Sequence, residues 1–102
     1  MLVVLKEPIK YEGGEVLVVN ITDYEDVRIF KGETFQLVVH KYYDAHKTSM
    51  SALYAPLATF DTYKDCFACF EAIIDSLKCG EQVFDLREYN VPTLDNIQSE
   101  AV

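Results

Sequence analysis

A single helical stripe constrains this chain more than any other feature. Tyr63, Cys66, Phe67, Phe70, Ile73, Ile74 and Leu77 recur at i, i+3, i+4, i+7, i+10, i+11 and i+14. On a 3.6-residue wheel all seven fall within an arc about 120° wide. Helix punctuation bounds the run. Thr62 with Asp65 three residues on has the form of a capping box, with Asp in place of the usual Glu. Asp61 adds negative charge where the helix dipole favours it. Lys78 falls in the last turn, and Gly80 is placed to end the helix as its C′ residue. The pattern predicts a helix over residues 62–79. Its one apolar stripe must then be covered by another layer.

The residues ahead of it supply that layer. Residues 2–5 are apolar, and Pro8 follows closely, so a strand there should lie at an edge or stop. Gly13-Gly14 signals a turn. Residues 15–21 carry three valines and an isoleucine and read as a well-buried strand. Residues 22–26 are polar and turn-like. In residues 27–30, Val27 and Ile29 share one face and Arg28 takes the other. Lys31-Gly32-Glu33 makes the next turn. Residues 34–43 then alternate, with Phe35, Leu37 and Val39 on one side and Thr34, Gln36, Val38 and His40 on the other. That is the pattern of a half-buried antiparallel strand. Residues 44–51 form a polar loop. Residues 52–59 alternate again and predict a strand bent at Pro56. After the helix, residues 82–86 predict a short closing strand with Val83 and Asp85 opposite Phe84 and Leu86.

The expected order is four strands, a fifth, one helix and a final strand. Short turns between the second, third and fourth strands make a meander the economical topology. The expected fold class is α+β: an antiparallel sheet with one amphipathic helix packed across it as a two-layer sandwich. A chain of 102 residues makes one domain, assigned to residues 1–88, with residues 89–102 as an extended C-terminal tail.

Charge narrows the partners. The chain holds 9 basic and 17 acidic side chains, for a formal net charge of −8. Residues 1–60 contribute −2 and residues 61–102 contribute −6. A field of that sign repels phosphates, so direct nucleic-acid binding is not expected. It attracts basic protein surfaces and speeds encounter with them; read more plainly, it serves solubility. The longest apolar runs, residues 1–5 and 66–70, are far short of a membrane span of about 20 residues. Lys6 and Glu7 interrupt the first before a secretory signal could form. Three cysteines, an odd count without an export signal, fit a reducing cytoplasm.

Three constellations have chemical potential. Cys66-Phe67-Ala68-Cys69 is a C-x-x-C, but Cys66 lies about one turn inside the helix and within the core stripe, whereas reactive thiols of this type sit at the helix N-terminus. Cys69 falls outside the stripe. A zinc site completed by Cys79 is excluded by distance, since thirteen helical residues span roughly 20 Å. Buried, structural thiols are the expectation. His40 and His46 with Asp44 could serve acid–base chemistry, but no nucleophile motif accompanies them, so they read as solvated. No glycine-rich phosphate loop is present. No catalytic residue, cofactor or metal is therefore assigned.

The surface is the better lead. Asp65, Ala68, Ala72, Asp75 and Ser76 point away from the apolar stripe, a narrow face that a partner could approach closely. Alanine's helix propensity explains the two alanines equally well. Tyr42, Tyr43 and Tyr54 could be interface anchors, or simply cover sheet edges.

Residues 57–64 (LATFDTYK), the helix after them, and residues 80–86 (GEQVFDL) together resemble small uncharacterised proteins carried by phages and mobile elements of Firmicutes. In those, a meander leads to a Thr-capped amphipathic helix and a closing G-E-x-V-F/Y strand. The likeness covers roughly residues 16–87 and departs at the 44–56 loop and the tail. It implies a setting in which small acidic proteins often inhibit host defence, anti-CRISPR proteins among them. A nuclease grips nucleic acid in a basic channel, and suitably spaced carboxylates can occupy it. The candidate partner-binding set is Asp61, Asp65, Glu71, Asp75, Glu81, Asp85 and Glu88. The expected partner is a basic host protein such as a nuclease. The alternatives are an assembly module of a phage or mobile element, homodimeric through a sheet edge, and a small thiol enzyme.

Overall fold

The computed structural model describes residues 1–42 and 52–91. The fold is α+β, with one helix packed across largely antiparallel strands. The strands are β1 (Leu2–Tyr11), β2 (Gly14–Asn20), β3 (Asp26–Lys31), β4 (Phe35–Tyr42), β5 (Ala52–Phe60) and β6 (Val83–Asp85); the helix α1 (Tyr63–Lys78) lies between the last two. The strands divide into two three-stranded sheets, ordered β2-β1-β6 and β3-β4-β5. The meander expected of the second, third and fourth strands is therefore shifted by one. β1 and β2 form a hairpin, and β3, β4 and β5 form the meander.

β1 does not stop at Pro8, nor does it lie at an edge. It is the central strand of its sheet, antiparallel to β2 and parallel to β6. Proline is tolerated there because the ladder slips. Val4 pairs with Val18 and Ile9 with Val16, so residues 5–8 stand opposite Leu17 alone. A residue without an N–H costs no ladder bond inside such a bulge. Gly13, at φ +97°, closes the hairpin in a conformation that side-chain-bearing residues rarely adopt. β2 is an edge strand, and of its apolar residues only Val19 is buried; Leu17 and Val18 are exposed. Its valines reflect strand propensity more than burial.

The core forms between the sheets and α1. Val3, Leu5, Val19 and Leu86 meet Leu37, Val39, Ala55 and Leu57, with Cys66, Cys69 and Ile73 from the helix. Each fully buried aliphatic side chain contributes about 1.5–3 kcal/mol.

The ends of α1 follow the sequence closely. Thr62 Oγ1 accepts a hydrogen bond from the Asp65 N–H at 3.1 Å. At the other end, the Gly80 N–H reaches the Leu77 carbonyl and the Glu81 N–H the Ser76 carbonyl, each at 3.0 Å, with Gly80 at φ +77°. That pair of bonds is a Schellman motif.

The rotation of α1 about its axis differs from the expected one. Cys69, placed outside the stripe, is fully buried together with Cys66 and Ile73. Tyr63, Phe67 and Leu77, placed inside it, are 43%, 38% and 41% exposed. Small thiols let the helix approach the sheet closely, whereas aromatic rings at the same positions would hold it off. The Tyr63 ring lies instead beside the β3–β4 turn, with Lys31 Nζ at the end of β3 4.9 Å from its centroid and Phe35 at the start of β4 packed edge-on against it. Correspondingly, Asp65, Ala68, Ala72 and Ser76 are partly buried, and only Asp75 of the expected outer face is fully exposed.

Candidate protein-binding face

The seven candidate carboxylates do not form one equivalent set. Asp61, Glu71 and Asp75 are exposed, the last two one turn apart on α1. Asp61 precedes the helix cap Thr62 and is not part of α1. Lys64 and Lys78 are exposed on that helix, so its charge is mixed. Asp65 is partly buried. Glu81 is exposed, but its Oε2 accepts a 2.7 Å hydrogen bond from the Ser76 hydroxyl. Asp85 is engaged by Arg87, whose Nη2 and Nε donate at 2.7 and 2.9 Å. Those hydrogen bonds hold the Asp85 carboxyl below its usual range and raise the Arg87 guanidinium in turn. Glu88 is exposed in the following segment. The structure thus leaves Asp61, Glu71, Asp75 and Glu88 open, ties Glu81 loosely, and withdraws Asp65 and Asp85.

The thiols are placed for packing. Cys66 and Cys69 have no solvent exposure. Burial pushes the Cys66 thiol up, and burial with Cys66 alongside pushes Cys69 to about 12. A thiol protonated that firmly is a poor nucleophile and a poor metal ligand. Cys79 is exposed at the helix C-cap. Among the described residues no group of His, Cys, Asp and Glu could hold a metal ion.

His40 is not solvated. It is 1% exposed, on the face of β4 turned away from α1. Asp26 and Tyr54 flank it in register on β3 and β5. The Tyr54 ring lies 5.2 Å from both the His40 and the Phe30 rings, and Asp26 Oδ2 lies 3.4 Å from His40 Nδ1. Hydrogen bonds from Arg28 at 3.0 and 3.1 Å are the main reason the Asp26 carboxyl sits below its usual range. The structure thus buries a face that alternation alone marks as outward, with Val38 on it 1% exposed as well. His46, Asp44, Tyr43 and the Tyr42 side chain lie outside the described residues; Tyr54 is half exposed.

A cavity of about 310 Å³ opens between the β1 bulge, β5 and residues 86–91. Its polar lining is Lys6, Glu7, Gln36 and Thr59, with Tyr89 at the base. Neither the thiols, His40 nor the carboxylate set reaches into it. Tyr89 went unremarked in the sequence. Its hydroxyl is buried, and that burial, with Cys69 and Asp65 nearby, raises its pKa. A lone tyrosine beyond the last periodic segment carries no pattern that could have flagged it.

No helix among the described residues is long and apolar enough to cross a membrane. Comparison of the chain with family models, curated proteins and solved structures finds no match.

Proposed function

We propose that this chain is a non-catalytic acidic binding protein whose carboxylates occupy a basic, nucleic-acid-binding surface of a partner protein. The observation that carries the reading is the exposed pair Glu71 and Asp75, one turn apart on α1, with Asp61 exposed just ahead of the cap Thr62 and Glu81 and Glu88 exposed after the helix. The 16-residue helix that Asp61 and Glu81 flank is about 24 Å long, several phosphate spacings of a nucleic-acid strand. The buried thiols and the buried His40 support the absence of a catalytic role. The resemblance of residues 57–64 and 80–86 to phage and mobile-element proteins is what supports a host defence nuclease as the proposed partner, with the inhibitor acting in the host cytoplasm.

The test uses purified RNA-guided and other basic nucleases with a salt series. The expected result is binding that competes with nucleic acid and weakens steeply as salt rises. The triple variant Asp61→Asn, Glu71→Gln, Asp75→Asn should lose at least about tenfold in affinity. Absence of binding to every basic nuclease at low salt refutes the reading, and salt-independent binding refutes the mimicry.

A further inference from the structure

The exposed apolar residues of α1 are not scattered. Tyr63, Phe67, Phe70, Ile74 and Leu77 recur at spacings of 4, 3, 4 and 3, the seam spacing of a helix that packs against a second helix. They form a stripe beside Cys66, Cys69 and Ile73, which face the sheets, and the two join through Phe70, which packs against the core. The first three seam rings contact one another in sequence, Tyr63 to Phe67 at 5.9 Å and Phe67 to Phe70 at 5.6 Å. Phe70 and Ile74 are partly buried, and the other three are exposed. A preordered aromatic seam that stays this open is a surface awaiting a partner.

The charges beside the seam identify that partner. Lys64, Glu71 and Lys78 recur every seventh residue along its solvent border, and all three are exposed. On the opposite border Cys66 and Ile73 are already packed against the protein's own core. In a parallel pairing the solvent border of one helix would meet the occupied border of the other. An antiparallel pairing brings solvent border to solvent border. With Phe67 opposite the partner's Phe70, and Tyr63 opposite the partner's Ile74, Lys64 faces the partner's Glu71. The two-fold axis makes that attraction twice. The seam is therefore self-complementary in shape and charge.

We propose that the partner is a second copy of this chain, joined through antiparallel packing of the α1 seams in that register. The inference does not rest on the acidic-face reading, although both use Glu71: a dimer that binds no nuclease, or a monomer that binds one, separates the two.

Sedimentation velocity on the full chain under reducing conditions, from micromolar to submillimolar, tests it. A concentration-dependent dimer is expected. Phe67→Glu should abolish it while leaving the circular dichroism spectrum unchanged, because Phe67 is 38% exposed and outside the buried core. Lys64→Glu and Glu71→Lys, made singly, place like charges opposite one another and should each weaken the dimer by about tenfold. Combined, they restore opposite charges and should return the affinity to within about threefold of the parent. A chain that stays monomeric throughout the range overturns the proposal. So does a dimer indifferent to Phe67→Glu, or a double variant no tighter than either single.

Discussion

Oδ2 of Asp26 lies 3.4 Å from Nδ1 of His40 across the β3–β4 ladder, on the sheet face turned away from α1. Arg28 holds the same carboxylate from its other side. The Asp26 carboxyl is thereby lowered from its usual 3.8, and Asp85, held by Arg87, is lowered likewise. A carboxyl with a depressed folded-state pKa stabilises the fold fully above its unfolded value. It loses that contribution as pH falls through the folded one. Stability should therefore hold down to about pH 5 and decline below about pH 4. Asp26→Asn and Asp85→Asn should each make that acid limb shallower. Urea unfolding midpoints measured as a function of pH check this; an acid limb unchanged in both variants contradicts it.

The buried thiols make a sharper prediction. Only Cys79 is exposed, so Ellman's reagent should titrate one thiol rapidly in the native protein and all three after unfolding. Cys69→Ser places a hydroxyl in a site that holds an apolar thiol, which should cost about 1–3 kcal/mol. Cys69→Ala should cost less than Cys69→Ser, because it leaves no polar group to satisfy. Chemical denaturation of the two variants settles the order. If Cys66 and Cys69 react as fast as Cys79 in the native state, the packing role assigned to them is wrong.

Gly80 gives the third prediction. At φ +77° it closes the Schellman motif with nothing near the position of an added Cβ, so only backbone strain opposes a side chain. Gly80→Ala should destabilise the protein by about 1 kcal/mol, with Gly80→Asn costing less. Thermal melts of both variants provide the measurement, and Ala matching Gly would contradict the motif.

The ends of α1 were legible because capping chemistry is local: Thr62, Lys78 and Gly80 act within one turn of the helix. The positions of β2 to β6 were legible too, since alternation and turn residues are short-range signals, whereas β1 runs on through Pro8 to Tyr11 because its bulge spares the proline a ladder bond. How the strands divide between two sheets was not. The pairing of β1 with β6 joins residues 81 positions apart, and no short pattern encodes it. The rotation of α1 was misjudged for a related reason. Hydrophobicity places Tyr63 and Phe67 in the stripe and leaves Cys69 out, but side-chain size decides which face sits closest to a sheet. The neighbours of His40, Asp26 and Tyr54, are brought alongside only by the strand register. Among the candidate carboxylates, charge counts could not foresee that Arg87 would engage Asp85.

That rotation is itself testable. Ile73 lies in the core between α1 and the sheets, whereas Phe67 is 38% exposed. Ile73→Ala should cost about 2–5 kcal/mol, the range for a buried aliphatic truncated to alanine. Phe67→Ala, measured at low protein concentration so that self-association does not enter, should cost about 1 kcal/mol or less. The seven-residue stripe read from the sequence makes the opposite forecast, with both positions equally costly. Guanidinium unfolding of the two variants therefore distinguishes a helix resting on its small residues from one resting on its rings. A loss at Phe67 as large as that at Ile73 would return the aromatic face to the core.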